Sequence, residues 1–146
     1  MQITDGLLGE HAVFYAQFDH LDQVLPRAQD SGEIKTRALM LESALAGHAN
    51  LEEELLFQAL DLFPEAAGPL NVMRMEHEEI EGALGRIPEI EGIEECRSLL
   101  LHVVQVARQH FAKEEQILFR LAGQLLGDAK LEGLGAEWAG RRGVTV

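Results

Sequence analysis

The chain of 146 residues has one cysteine, one tryptophan, one tyrosine and only 12 basic residues against 25 acidic ones. A single cysteine, Cys96, excludes an internal disulfide and fits a reducing compartment. The formal net charge of -13 argues against nucleic acid and against an anionic membrane as partners. Solubility is reason enough for it. No apolar run reaches the roughly 20 residues that span a bilayer, and the first residues lack the basic-then-apolar pattern of a signal peptide. The expected location is the cytoplasm. No stretch alternates with period two, so strands are not expected.

What is abundant is Leu, Ala, Glu and Gln, all good helix formers. The length suits a single domain with a core that needs no staples. The periodicity predicts helices over roughly 4–27, 32–62, 69–87 and 93–126, followed by a short fifth helix over 128–139. Thr4 or Asp5 serves as the first N-cap, and Asp30 and Glu33 are spaced like a capping box. Pro69 suits the first turn of the third helix, Pro88 stops it, and Gly127 caps the fourth. The expected fold is all-α, an up-down-up-down four-helix bundle with Leu131, Leu134 and Trp138 of the fifth helix covering one end.

One pattern occurs twice. His48, Glu52, Glu53, Leu55, Leu56 and Phe57 recur 62 residues later as His110, Glu114, Glu115, Ile117, Leu118 and Phe119. Both copies read His-x-x-x-Glu-Glu-x-[Leu/Ile]-Leu-Phe. Residues four apart share a helix face, so each copy aims an imidazole and a carboxylate the same way. At about 100° per residue, Ile34, Leu41, Leu45, Leu55 and Ala59 line one apolar stripe, with His48 and Glu52 inside it. Leu99, Val103, Val106, Ile117 and Leu121 line the other, around His110 and Glu114. Both pairs point into the core.

An ionised carboxylate buried without a partner costs several kcal/mol, which is comparable to the stability of a small domain. Two such pairs need a shared cationic partner, and a metal is the natural one. The first and third helices each carry Glu-His, Glu10-His11 and Glu76-His77, with both histidines on the inner face. At about 1.5 Å per residue, His11 and His48 stand at similar heights from the turn near Ser31. His77 and His110 meet only if the connection from Pro88 to Gly92 rises along the bundle. Imidazole with carboxylate suits iron, manganese or zinc. A structural zinc site is closed by four ligands, whereas six ligands with two carboxylates from facing helices suit two bridged ions.

In these residues the chain resembles the hemerythrin-like, HHE cation-binding family over nearly its whole length. The resemblance implies a non-haem di-iron centre, with zinc or manganese as possible substitutes. It makes His11 and His48 terminal ligands of one iron, His77 and His110 ligands of the other, and Glu52 and Glu114 the bridges. Oxygen-carrying members place a second histidine one turn after the first on the third helix. Here that position is Glu81, about 40° from His77, either a harder, anionic ligand or a neighbour of the ligands. As a ligand its charge would favour ferric iron and turn dioxygen binding toward oxidation.

The expected function is binding of dioxygen or a related diatomic for sensing, storage or scavenging. The alternatives are a di-iron enzyme of nitric oxide or peroxide reduction or iron–sulfur repair, and a metal-responsive interaction module. Other residues read as structural. Glu53 and Glu115 point about 120° from the histidines that open their motifs and read as surface charges. His20 reads as solvated, His102 as a residue at the stripe's edge, and Cys96, Met40, Met73 and Met75 as packing. Tyr15 is placed to hydrogen-bond a ligand or to pack, and Phe14, Phe18 and Phe111 are candidates for an apolar wall.

Overall fold

Why the chain breaks where it does is visible at each helix end. The computed structural model describes residues 1–145, and no strand occurs among them. Helix α1 spans Ile3–Val24 and tightens into a 3-10 turn, Leu25–Arg27, at Pro26. Gln2 is its N-cap, and the Gln2 backbone N–H donates to the Asp5 carboxylate at 2.9 Å. Neither Thr4 nor Asp5 is the N-cap, then; both sit inside the first turn, where Asp5 closes the capping box. Helix α2, Ser31–Glu52, starts where the Asp30 carboxylate accepts from the Glu33 N–H at 2.9 Å. Helix α3 is Ala67–Arg86, α4 is Ile93–Lys113 and α5 is Phe119–Arg142. Gly127 interrupts α5 with φ 72° and ψ 166°, a backbone conformation that a side chain would resist. None of these helices is long and apolar enough to cross a membrane.

Both copies of the repeated motif end in a π-helical turn, Glu53–Phe57 after α2 and Glu114–Leu118 between α4 and α5. The Gln58 N–H bonds the Glu53 carbonyl and the Phe119 N–H bonds the Glu114 carbonyl, each five residues back. A π turn holds one residue more than an α turn, so everything after it rotates by about 100°. That slip corrects one expectation from regular periodicity. Ile117, assigned to the buried stripe, is 54% exposed, and Leu118 takes its place at 1%.

The apolar core comes in two clusters with a polar layer between them. Helix α1 passes from Ile3 and Leu7 of one cluster, through His11, to Phe14 and Phe18 of the other. Helix α2 goes the opposite way, from Ile34 and Leu41 through His48 and Glu52 to Leu55 and Leu56. Helix α3 repeats the first sense, from Leu70 and Met73 past His77 to Ile80 and Leu84. Helix α4 repeats the second, from Leu100 and Val103 past His110 and Glu114 to Leu118. Consecutive helices thus cross the two clusters in opposite senses, and each brings its polar residues to the same layer.

The connection after α3 supplies the length that His77 and His110 need. Ile87–Glu89 forms a 3-10 turn, and Ile90 and Gly92 are extended. Helix, turn and extended segment from His77 to Gly92 reach about 30 Å, against about 27 Å back to His110. The two imidazole centroids lie 4.6 Å apart. Of the three methionines read as packing, only Met73 is buried; Met40 and Met75 are 71% and 61% exposed.

The far part of α5 folds back over the start of α1, and two glycines let it come close. A Cβ on Gly6 would stand 2.8 Å from the Trp138 ring, and one on Gly135 would clash with the Met1 carbonyl. Gly6→Ala is expected to cost about 1–3 kcal/mol by overpacking. Gly9→Ala, where a Cβ meets nothing within 4 Å, is expected to gain up to about 1 kcal/mol. Urea denaturation of both variants checks this, and equal shifts would mean that α5 does not dock on α1.

Candidate metal centre

Five titratable residues of the polar layer are almost completely buried: His11, His48, Glu52, His110 and Glu114, at 0–2% exposure. The His77 side chain is 12% exposed. Their ligating atoms converge as two groups, each within 4.8 Å: Glu52, His77, His110 and Glu114, and His11, His48 and Glu114. Glu114 belongs to both. One of its oxygens lies 3.2 Å from His11 Nε2 and the other 2.8 Å from His110 Nε2. Glu52 Oε2 is 3.6 Å from His77 Nε2 and belongs to the first group only.

All four imidazoles turn Nε2 inward and Nδ1 outward to a carboxylate. His48 Nδ1 donates to Glu10 at 2.6 Å and His110 Nδ1 to Glu76 at 2.9 Å. His11 Nδ1 donates to Glu115 at 2.9 Å and His77 Nδ1 to Glu53 at 3.2 Å. The pattern is reciprocal. The glutamate before each histidine of α1 and α3 holds a histidine of α2 or α4, and the second glutamate of each repeated motif returns the favour. The last residue of each motif takes part as well, since Phe57 stacks on His77 at 8° and Phe119 on His11 at 22°.

Glu53 and Glu115 are therefore not free surface charges. They leave the flank of their own helix, where a wheel drawn for one helix shows only solvent, and meet an imidazole of the next. Tyr15 extends one of these chains, donating to Glu115 at 3.1 Å. Burial and that hydrogen bond push the Tyr15 hydroxyl up to about 12. Glu10 is tied further by Trp138 Nε1 at 3.0 Å and Arg142 Nε at 2.7 Å. Burial works to raise the Glu10 pKa, but the bonds from His48 and Arg142 outweigh it and hold it down at about 2.

An ionised Glu10 accepts only, which fixes the His48 proton on Nδ1 and leaves a lone pair on Nε2. His11 and His48 then face each other through Nε2 atoms 3.3 Å apart. Without a cation, two lone pairs at that distance repel. Burial lowers the pKa of His48 and of His77, so both resist becoming that cation by protonation. Burial also works to lower His110, but Glu114 and Glu76 outweigh it and raise it.

The carboxylates make the same demand. Both oxygens of Glu52, both of Glu114 and Nε2 of His110 are buried with no aligned hydrogen-bond partner. Burial and the neighbouring Glu114 push the Glu52 carboxyl well above the ordinary range. Burial opposes ionisation of Glu114 too, but His11 and His110 outweigh it and lower its pKa. Four imidazole nitrogens and two carboxylates gathered in one buried layer without donors between them fit bound cations.

The chain matches the family model of the hemerythrin HHE cation binding domain over residues 2–122. It belongs to that family. No curated protein and no solved structure matches the chain significantly. Beyond residue 122 the family match stops, yet Trp138 and Arg142 reach back to Glu10 and so to His48 of this hemerythrin-family site.

Glu81, the further ligand that the resemblance left open, is exposed and lies outside both groups. It lines a cavity that His77 and His110 share. The remaining histidines stand apart. His20 is exposed, 3.4 Å from an Arg37 nitrogen, and His102, 57% exposed, faces Glu79 at 3.5 Å. Cys96 is buried and turns its thiol toward the Ile90 carbonyl at 3.6 Å.

The raised pKa of Glu52 has a sign. Its contribution to stability is full below its ordinary value of 4.5 and is lost as pH rises toward the raised one. Glu52→Gln is therefore expected to stabilise the metal-free protein at pH 7, by about 1–4 kcal/mol, and to leave it little changed near pH 4. The same variant loses metal. Thermal melts after chelation, at both pH values, check the first part; a metal-free variant that melts below the parent at pH 7 refutes it.

Proposed function

We propose that this hemerythrin-family domain holds two iron ions and binds dioxygen or a related diatomic, for sensing, storage or scavenging. His11, His48 and Glu114 would hold one ion, and His77, His110, Glu52 and Glu114 the other. The observation that supports this reading is Glu114, one buried carboxylate whose two oxygens face different groups of imidazoles. Iron at such a centre supplies the one-electron changes that dioxygen chemistry requires. Manganese or zinc can occupy the same donors.

The protein's own part is orientation and exclusion. Glu10, Glu53, Glu76 and Glu115 keep the Nε2 lone pairs inward and raise the donor strength of each imidazole. Phe111 lies flat on His11, with centroids 4.0 Å apart and planes at 13°, and keeps water from that side. Glu76 also takes Lys113, which offsets part of the negative charge around the layer.

Protein expressed in iron-rich medium is expected to carry about two ions per chain, mainly iron. Glu114→Ala lowers both occupancies, whereas His11→Ala empties mainly one. Chelation lowers the melting temperature, because metal binding is linked to folding. Elemental analysis beside thermal melts tests this, and a single tetrahedral zinc with no room for a second ion would sink it.

Glu81 bears on what dioxygen does. A carboxylate there favours ferric iron, so the reduced protein mixed with oxygenated buffer should oxidise faster than Glu81→His. Glu81→Gln is expected between the two. Stopped-flow absorption measures all three, and equal oxidation rates would make Glu81 a bystander.

A further inference from the structure

The two halves of the repeated site differ in one respect: what fills the space beside the imidazoles. In the alignment of the two motif copies, Phe111 of α4 matches Ala49 of α2. Aligning Glu10-His11 with Glu76-His77 matches Phe14, Tyr15 and Phe18 to Ile80, Glu81 and Leu84. Around His11 the aromatic set closes the space. Phe111 stacks on the ring, Tyr15 meets it edge-on, and Phe14 and Phe18 pack against Phe111. Around His77 the smaller set leaves a cavity of about 200 Å³, open to solvent on one side.

His48, His77 and His110 line this cavity, but His11 does not. Phe111, stacked on His11 and also lining the cavity, stands between the two. Among the six histidines and glutamates of the two groups, only His77 has more than 2% exposure. His110, 1% exposed, is also part of the lining, and its Nε2 lies 2.8 Å from Glu114 at the metal position. The apolar lining comes from Leu45, Ala46, Ala49, Ile80, Leu84 and Phe111, and Asn50 adds one neutral polar side chain. Glutamates form the rim: Glu53 and Glu54 pair with Arg74 and Arg141, whereas Glu42 and Glu81 have no ion pair among the described residues.

We propose that this cavity binds a small neutral or cationic molecule, up to the size of a single aromatic ring, that approaches the metal position of His77 and His110. The inference rests on the metal-centre reading and deepens it. Size comes first: an apolar cavity of about 150 Å³ already holds benzene, so a diatomic would leave most of this space unused. Chemistry follows from the lining. Apolar walls take the body of the molecule, and a nitrogen or oxygen donor faces the imidazole end. The unpaired Glu42 and Glu81 at the rim disfavour an anion. The equivalent approach to His11 is closed by Phe111.

Pyridine and benzoate, single rings of similar size and different charge, test this with zinc-loaded and metal-free protein. Metal content is measured first, and binding is read from methyl NMR shifts of Leu45, Ala49, Ile80 and Leu84. Pyridine is expected to give saturable shifts at these methyls, with benzoate weaker by at least about tenfold. Ala49→Phe, which copies the closed half, weakens pyridine at least about tenfold with metal content kept. Ala49→Leu gives a smaller loss and serves if the larger side chain prevents folding. Glu42→Gln combined with Glu81→Gln narrows the preference over benzoate.

Two-metal protein whose cavity methyls ignore pyridine, or that takes benzoate as well as pyridine, or that binds equally after both Ala49 changes, overturns the proposal and leaves the metal centre standing. Saturable pyridine binding in a chain that takes up no metal supports the cavity and removes the metal-centre reading alone.

Discussion

Everything in this fold is arranged around the Glu114 carboxylate, fully buried where two groups of imidazoles meet. A charge in that position is unfavourable by several kcal/mol unless something positive shares its space. The polar layer separates two apolar clusters that would otherwise merge into one continuous core. A bundle that gives up this much hydrophobic contact at mid-height needs a compensating interaction there. Cation binding, the property of the family, supplies it. Folding and metal uptake are thereby coupled through the same few atoms.

The outer carboxylates show how the layer is kept in register. A buried imidazole can rotate by half a turn at its χ2 angle and present the wrong nitrogen. Each of the four is prevented from doing so by an acceptor on an adjacent helix, and two are also held by a stacked phenylalanine. The π turns matter to this second restraint. They begin at Glu53 and Glu114 and return Phe57 and Phe119 to the layer one residue later than an unbroken helix would. Duplicated sequence and duplicated irregularity therefore go together.

How much of this was legible beforehand follows from what a helical wheel measures. Histidine and glutamate four apart on an apolar stripe stand out, because burial of such groups is costly and the pattern occurs twice. His48, Glu52, His110 and Glu114 stood out that way, His11 and His77 by their place on the inner faces of the first and third helices, and the all-helical character by its periodicity. Glu53 and Glu115 were misread because their angle on one helix says nothing about the imidazole on the next. Ile117 was misplaced because regular periodicity assumes an unbroken helix through Glu114–Leu118. The reach of Trp138 and Arg142 to Glu10 spans more than 125 residues of sequence and leaves no periodic trace. A signal did exist for the outer carboxylates: the Glu-His and Glu-Glu pairs repeat together, which a ligand role alone does not require.

The two halves are also fastened differently, and this has a consequence for how the site and the fold depend on each other. Glu76, which orients His110, is tied by Lys113 from the same helix as its imidazole. Glu10, which orients His48, is tied by Trp138 and Arg142 from the end of α5, beyond the part of the chain that matches the family. Arg142 reaches the Gly47 carbonyl as well, one residue from His48. Helix α5 can lie that close only because Gly6 and Gly135 carry no side chain. The orientation of one imidazole thus passes through a carboxylate, an indole and a guanidinium to two glycines remote from the centre. Loosening the end of α5 frees Glu10 before it disturbs Glu76, so strain in the fold reaches the His11–His48 group first.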